Sequence, residues 1–313
     1  MAKLTQREIS KLRADYLLKR ESILKGKVNS LQAKLFEKVF DRYLLALEQS
    51  NGKLVTGIRN ENLTAGLDKI YKEFLRTDNS KVANTFLKDL NGIHDLNIEY
   101  FSTINQEEAR AKAPVIKKVV DRKLGLTETG EVKKGGFTDK FLRDEAVLKQ
   151  IKKLTNKAIK NGQPFTEFKK DLKTFIEGNP KVKDSGGLQQ YYRNYAYDTF
   201  QQVDRINQDE FAQKLELRYF IYSGGLIRTS RPFCIHYNGR IIDSHEFRNL
   251  KISDIPETRR GGLPDKGWVP MLDLGGFGCR HSVNWVATPY ADDNKSKFNK
   301  KASERAQKFR ANK

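Results

Sequence analysis

Cysteine is nearly absent from this sequence: two residues among 313, beside four histidines, two tryptophans and two methionines. Two cysteines cannot form a disulfide scaffold, so they are read first as thiols or ligands. No apolar run approaches the ~18 consecutive residues of a membrane-spanning helix, and Met1-Ala2-Lys3-Leu4-Thr5-Gln6-Arg7-Glu8 lacks the apolar core of a signal peptide. These absences predict a non-membrane protein made in a cytoplasm. A glycine-rich phosphate loop, a His-Glu-x-x-His pair and a Gly-x-Ser-x-Gly elbow are also missing, which leaves nucleotide hydrolysis and zincin chemistry unsupported. No repeat with a period of ~20–50 residues is found.

Acidic residues are scarce relative to basic ones. The 39 Asp and Glu face 59 Lys and Arg, a net charge of +20. That excess predicts an acidic partner, nucleic acid first, with an acidic protein surface or anionic lipid behind it. Only 38% of the residues are hydrophobic, which is low for one large core. At ~100–200 residues per domain the length predicts two or three modules, some of them thin or elongated.

Helical periodicity dominates what is present. Over 5–49, Ile9, Leu12, Tyr16, Ile23, Leu31, Leu35, Val39, Tyr43 and Leu47 recur at helical spacing, as one long helix or two broken near Gly26. A second helix is expected over 62–76. Asp78-Asn79-Ser80 reads as the cap of a third, which carries Val82, Phe86, Leu90, Ile93 and Phe101. His94 falls among these apolar positions and is read as a structural histidine. The glycine-punctuated stretch 124–138 predicts a hairpin or exposed loop. Helices are expected over 139–160 and 166–176, the latter ending at Gly178-Asn179-Pro180. A longer one over 188–216 bears the stripe Leu188, Tyr191, Tyr192, Tyr195, Phe200, Val203, Ile206, Phe211 and Leu215. The stripe is read as a packing face rather than a base-stacking platform.

The pattern changes at Leu217. Residues 217–222 read as a strand, Asn238-Gly239 within an apolar alternation predicts a hairpin with a type I′ turn, and 282–287 read as a closing strand. Residues 292–313 hold eight Lys and Arg against three Asp and Glu, which predicts a solvated, flexible basic tail. The expected fold is α+β: a predominantly α-helical N-terminal two thirds (1–110 and 111–216), a small mixed α+β C-terminal domain (217–291) and the tail.

Both cysteines and three of the four histidines lie within 234–281, as two copies of Cys-x-His. Residues two apart on a strand face the same way, so Cys234 with His236, and Cys279 with His281, would each present a sulfur and an imidazole together. The two pairs could hold a tetrahedral structural zinc. The plainer reading is a set of buried thiols and hydrogen-bonded histidines that pin the loop to the hairpin. Two catalytic readings stand beside these: a Cys-His nucleophilic pair, which lacks a recognisable orienting partner, and a His-Asn-His-type nuclease using Asp243, His245 and Asn249, which lacks that motif's adjacent Asp-His and its paired Cys-x2-Cys knuckles. Arg231 and Arg280 could bind phosphate or carboxylate, or bridge to an internal carboxylate or carbonyl such as that of Asp243 or Asp273.

The string Arg228-Thr229-Ser230-Arg231-Pro232-Phe233-Cys234, then Asn238-Gly239, then Gly275-Gly276-Phe277-Gly278-Cys279-Arg280-His281 resembles the C-terminal domain of tailed-phage Mu F-like head morphogenesis proteins, which are minor capsid proteins. In that family an Arg-Thr segment leads to a cysteine, a glycine five residues on closes a turn, and Cys-Arg-Cys or Cys-Arg-His ends the domain. The resemblance covers about residues 188–289. The sequence departs from the commoner pattern at Arg231, where a cysteine often stands, and at Gly276, where a histidine often stands, so two potential metal ligands are absent. The resemblance implies a low-copy virion protein of the head interior or portal vertex, contacting the portal protein, the major capsid protein or both, and acting in head morphogenesis, DNA packaging or DNA delivery. The charge of +20 suits sequence-independent DNA contact. The alternative is a virion-carried nuclease or toxin-like enzyme using His245, His281 or Cys234.

Overall fold

The computed structural model describes residues 4–139, 145–179, 184–192, 198–264 and 266–312. The fold is α+β and predominantly helical, 69% of it in helices with two small sheets. In chain order come α1 (Gln6–Arg42), a two-residue ladder of β1 (Gln49–Ser50) and β2 (Lys53–Leu54), α2 (Ile58–Phe74), α3 (Ser80–Ser102) and α4 (Gln106–Lys123). Then follow α5 (Ala146–Lys160), α6 (Phe165–Glu177), α7 (Gly187–Tyr192) and α8 (Asp198–Lys214). The C-terminal part holds β3 (Tyr219–Ser223), α9 (Pro232–Tyr237), β4 (Ile241–Asp243), α10 (Ser244–Arg248), α11 (Glu257–Arg260), α12 (Pro270–Asp273), β5 (Ser282–Val286) and α13 (Thr288–Ala311).

Two compact units share these elements. One comprises Met1–Leu18, Leu90–Lys123 and Asp198–Lys313, the other Lys19–Asp89 and Leu124–Tyr197. The units cut across the consecutive segments expected from sequence, because long helices such as α1 and α3 supply residues to both. Tyr195, Pro180 and residues 140–144 of the helix expected from Asp139 lie outside the described residues.

In the second unit α1 runs unbroken through Gly26, whose cost of about 1 kcal/mol relative to alanine is offset by burial of Leu24, Val28, Leu31, Leu35 and Val39 at helical spacing. The Asp78-Asn79-Ser80 cap does not form. The chain instead passes from α2 to α3 through a π-helical turn, Leu75–Asn79. The capping side chains have tertiary partners: Asp78 is paired with Lys38 and Lys34, and Asn79 Oδ1 accepts from Tyr192 Oη at 2.5 Å. The 124–138 stretch is a hairpin-like loop with one antiparallel bridge, Leu126 to Val132.

In the first unit a three-stranded antiparallel sheet, order β4-β3-β5, is built on β3. Phe220 stands opposite Ile242 and Trp285, and Tyr222 opposite Val283, so these side chains share one face. The other face carries Tyr219, Ile241 and Val286, which pack with Ala291 and Phe298 of α13.

Two sequence expectations are corrected here. Residues 292–311 are not a flexible tail: α13 continues to Ala311 and is docked on the sheet, while Lys313 lies outside the described residues. Its Asn299 side chain accepts from Ile241 N at 2.9 Å and donates to Ile241 O at 3.2 Å, so a side-chain amide occupies the open edge of β4. Asn238-Gly239 is not a type I′ hairpin either. The segment before it is helix α9, started by Pro232 in its first turn and stabilised by Phe233 against Tyr237, with ring centroids 4.6 Å apart. Asn238 (φ −59°, ψ 121°) and Gly239 (φ 83°) then form a type II turn closed by Arg240 N donating to Tyr237 O at 3.0 Å.

Candidate functional site

The helical state of α9 changes the Cys-x-His geometry. Residues two apart on a helix point about 200° apart, so Cys234 turns into the core while His236 turns to a half-buried position beside Arg259, whose guanidinium donates to His236 Nε2 at 3.2 Å. Burial, then the charges of Arg240, Arg259 and Arg310, pushes His236 down to about 4. The four-ligand arrangement of Cys234, His236, Cys279 and His281 is therefore replaced by a three-residue one.

Cys279 and His281 lie in the segment that leads into β5 and do come together, with Sγ to Nδ1 at 3.7 Å. Cys279 Sγ is 3.8 Å from Cys234 Sγ. Tyr222 of β3 brings its hydroxyl to 3.4 Å from Cys234 Sγ and 3.9 Å from Cys279 Sγ. Among the described residues, Cys234, Cys279 and His281 are the group of potential metal ligands, their donor atoms all within 4.8 Å of one another and all three side chains buried. The hydrogen bond to Cys279, then burial, holds the Cys234 thiol well above its ordinary value. Cys279, hydrogen-bonded to Cys234 and His281 and facing Arg205, is held below its own. Burial raises Tyr222 well above the usual phenol range, so its hydroxyl keeps its proton.

The other motif residues brace this cluster. A Cβ at Gly275 would lie 2.2 Å from Cys234 Sγ, so only glycine lets the backbone pass so close to the sulfurs. Gly276 (φ 87°) turns the loop, and Gly239 ends α9. Arg231 donates to Gly275 O at 2.8 Å and to Phe277 O, thereby holding the loop against the start of α9. Arg280 pairs with Asp198 at 3.0 Å, and Asp198 also accepts from Gly278 N at 2.9 Å. Both arginines thus engage internal carbonyls or a carboxylate, with partners other than Asp243 and Asp273. Phe233 is buried and Pro232 half-buried, while Arg228 and Thr229 are exposed on the preceding loop. His245 is exposed in the first turn of α10, its backbone N–H bonded to the Asp243 carboxylate at 2.9 Å, and is not part of the cluster.

Three further contributors lie outside the sequence motif. Arg205 of α8 donates to Leu272 O (2.8 Å), Cys279 O (2.6 Å) and His281 O (3.0 Å), fixing the backbone that carries two of the donors. Tyr222 supplies the hydroxyl, and Gly224 allows close passage of the His281 ring, since a Cβ there would lie 2.4 Å from its Cδ2. Only Tyr222 has a local signal, as the aromatic of a predicted strand. The charged pair Asp204-Arg205 reads locally as a solvated helix face.

Chemically the site is a closed set of two sulfur donors and one nitrogen donor, roofed by a phenol. Cys234, Cys279 and His281 are only 3, 5 and 6% exposed, so the thiols are placed as packing groups or ligands rather than as nucleophiles open to a large substrate. No family model, curated protein or solved structure matches the chain.

Proposed function

We propose that the protein is a minor head protein of a tailed bacteriophage, placed at the head interior or portal vertex, that links portal or major capsid protein to genomic DNA during head morphogenesis, packaging or delivery. The observation that carries this reading is the use made of the motif on which the resemblance rests. Arg231, Cys234, Gly275, Cys279 and His281 come from two stretches about 40 residues apart and interlock through backbone-directed hydrogen bonds and buried thiols, while Arg280 ties the second stretch to Asp198. They act as the lock of a small binding or assembly domain.

The charge supports the DNA contact. On α13 Lys297, Lys300, Lys301 and Lys308 are exposed, opposite the buried Ala302 and Ala306, so docking of the helix on the sheet turns a row of ammonium groups outward. Point charges on a helix face bind phosphate without reading bases. No helix among the described residues is long and apolar enough to cross a membrane.

The test is quantitative mass spectrometry of gradient-purified phage particles, before and after DNA release, with portal and major capsid proteins as internal standards. A low, fixed copy number is expected, and loss on DNA release would add ejection with the genome. Absence from particles would overturn the reading and make a nuclease assay on double- and single-stranded DNA the next step.

A further inference from the structure

We infer that Cys234, Cys279 and His281 form a structural zinc site, with the Tyr222 hydroxyl at the fourth corner. Around a tetrahedral zinc with Zn–S of about 2.3 Å and Zn–N of about 2.05 Å, two sulfurs stand about 3.8 Å apart, and a sulfur and a nitrogen about 3.6 Å. The sulfurs of Cys234 and Cys279 are 3.8 Å apart, and Cys279 Sγ is 3.7 Å from His281 Nδ1. Tyr222 Oη, at 3.4 and 3.9 Å from the sulfurs, spans the edges a fourth, oxygen donor would make. A disulfide fits less well, because S–S bonding needs about 2.0 Å and the sulfurs stand 3.8 Å apart.

Charge points the same way. Binding of Zn2+ with loss of one proton from each thiol gives a centre of zero net charge, with neutral histidine and phenol. A neutral centre is what an enclosed site tolerates. The braces on the cluster also act on the ligands: Arg205 fixes the carbonyls of Cys279 and His281, Arg231 fixes the loop between the cysteines, and Gly275 leaves the sulfurs room to meet. The metal would tie α9 to the start of β5, supplying cohesion to a small three-stranded domain.

The experiment measures metal in the purified full-length protein by inductively coupled plasma mass spectrometry and native mass spectrometry. About one zinc per chain is expected, falling to background in Cys234→Ser and in Cys279→Ser. Because either variant can fail to fold, the wild-type chain is also stripped with a chelator and reloaded with Co2+. A thiolate-to-cobalt charge-transfer band with tetrahedral d–d absorption is expected. Tyr222→Phe should keep the charge-transfer band and shift the d–d bands. Metal-free protein with two titratable thiols and no cobalt band would overturn the proposal. So would a Cys234–Cys279 disulfide, seen as a mass lower by two hydrogens.

Discussion

Arg13 of α1 and Asp204 of α8 form an ion pair at 3.2 Å with their side chains 2 and 0% exposed. Around it Asn97 donates to the same carboxylate oxygen at 3.0 Å, and Arg13 also donates to Val283 O at 3.2 Å and Asn284 Oδ1 at 3.0 Å. Gln208, whose side-chain amide donates to Asn97 Oδ1, adjoins the set. The network joins α1, α3, α8 and β5 in one buried polar seam. Arg13→Ala leaves the Asp204 carboxylate buried and uncompensated, and is expected to cost about 3–5 kcal/mol. The double variant Arg13→Met with Asp204→Leu should lose less than Arg13→Ala alone. Urea unfolding followed by far-UV circular dichroism checks both.

Gly275→Ala places a methyl 2.2 Å from Cys234 Sγ and 3.2 Å from Cys279 Sγ. The expected loss is about 1–3 kcal/mol, the range for overpacking a filled site. Gly225→Ala is the control, since nothing lies within 4 Å of its Cβ position. Comparison of thermal midpoints separates the two.

Asn299→Ala removes both hydrogen bonds to the Ile241 backbone and leaves the β4 edge unpaired. A loss of about 1–3 kcal/mol is expected, with faster amide exchange at Ile241. Deleting residues 292–313 should go further, uncovering Tyr219 and Ile241 and driving aggregation, which light scattering reads directly. A truncated chain as stable and monodisperse as the full one would contradict the docked helix.

His94 is buried, with Nδ1 2.6 Å from Asn207 Oδ1, a bond in which the ring N–H donates. Burial, helped by Lys117 and opposed by the Asn207 hydrogen bond, Asp95 and Asp121, holds its pKa below the usual value. The unfolded chain therefore takes up this proton first as the pH falls. The stability contribution is complete above about 6.5 and is lost as the pH drops from there toward the folded value. His94→Gln should flatten that part of the stability profile, measured by urea midpoints between pH 7.5 and about 5.

The proposed DNA contact predicts a salt signature. Replacing Lys297, Lys301 and Lys308 with glutamine should weaken binding to unrelated duplexes equally. It should also reduce the slope of log K against log salt by about 2.7, at roughly 0.9 per phosphate contact. A sequence-dependent loss, or an unchanged slope measured by fluorescence anisotropy, would count against α13 as the contact.

Helices with apolar residues at regular spacing are legible in the sequence, because a stripe such as Leu31, Leu35 and Val39 needs no distant partner to be recognised. So are β3 and β5, from their β-branched and aromatic residues, and the pairing of Cys279 with His281, from their two-residue spacing. The helix over 232–237 is not, because Asn238-Gly239 suits a type II turn as well as a type I′ one and only the packing of Phe233 and Tyr237 selects between them. The same ambiguity hides the position of His236. The docked α13 is also hidden: its composition is that of a solvated chain, and its hold on the sheet rests on Asn299, Ala291 and Phe298.

Local pattern and composition are enough to set the helical character, the basic charge and the residue types of the Cys/His cluster. That Cys234 meets Cys279 and His281, that Tyr222 roofs them, and that Arg13 lies against Asp204 follow from the folded arrangement alone. Those pairings join residues far apart in the chain, and the free energy that makes a buried charge or thiol tolerable exists only once its distant partner is in place.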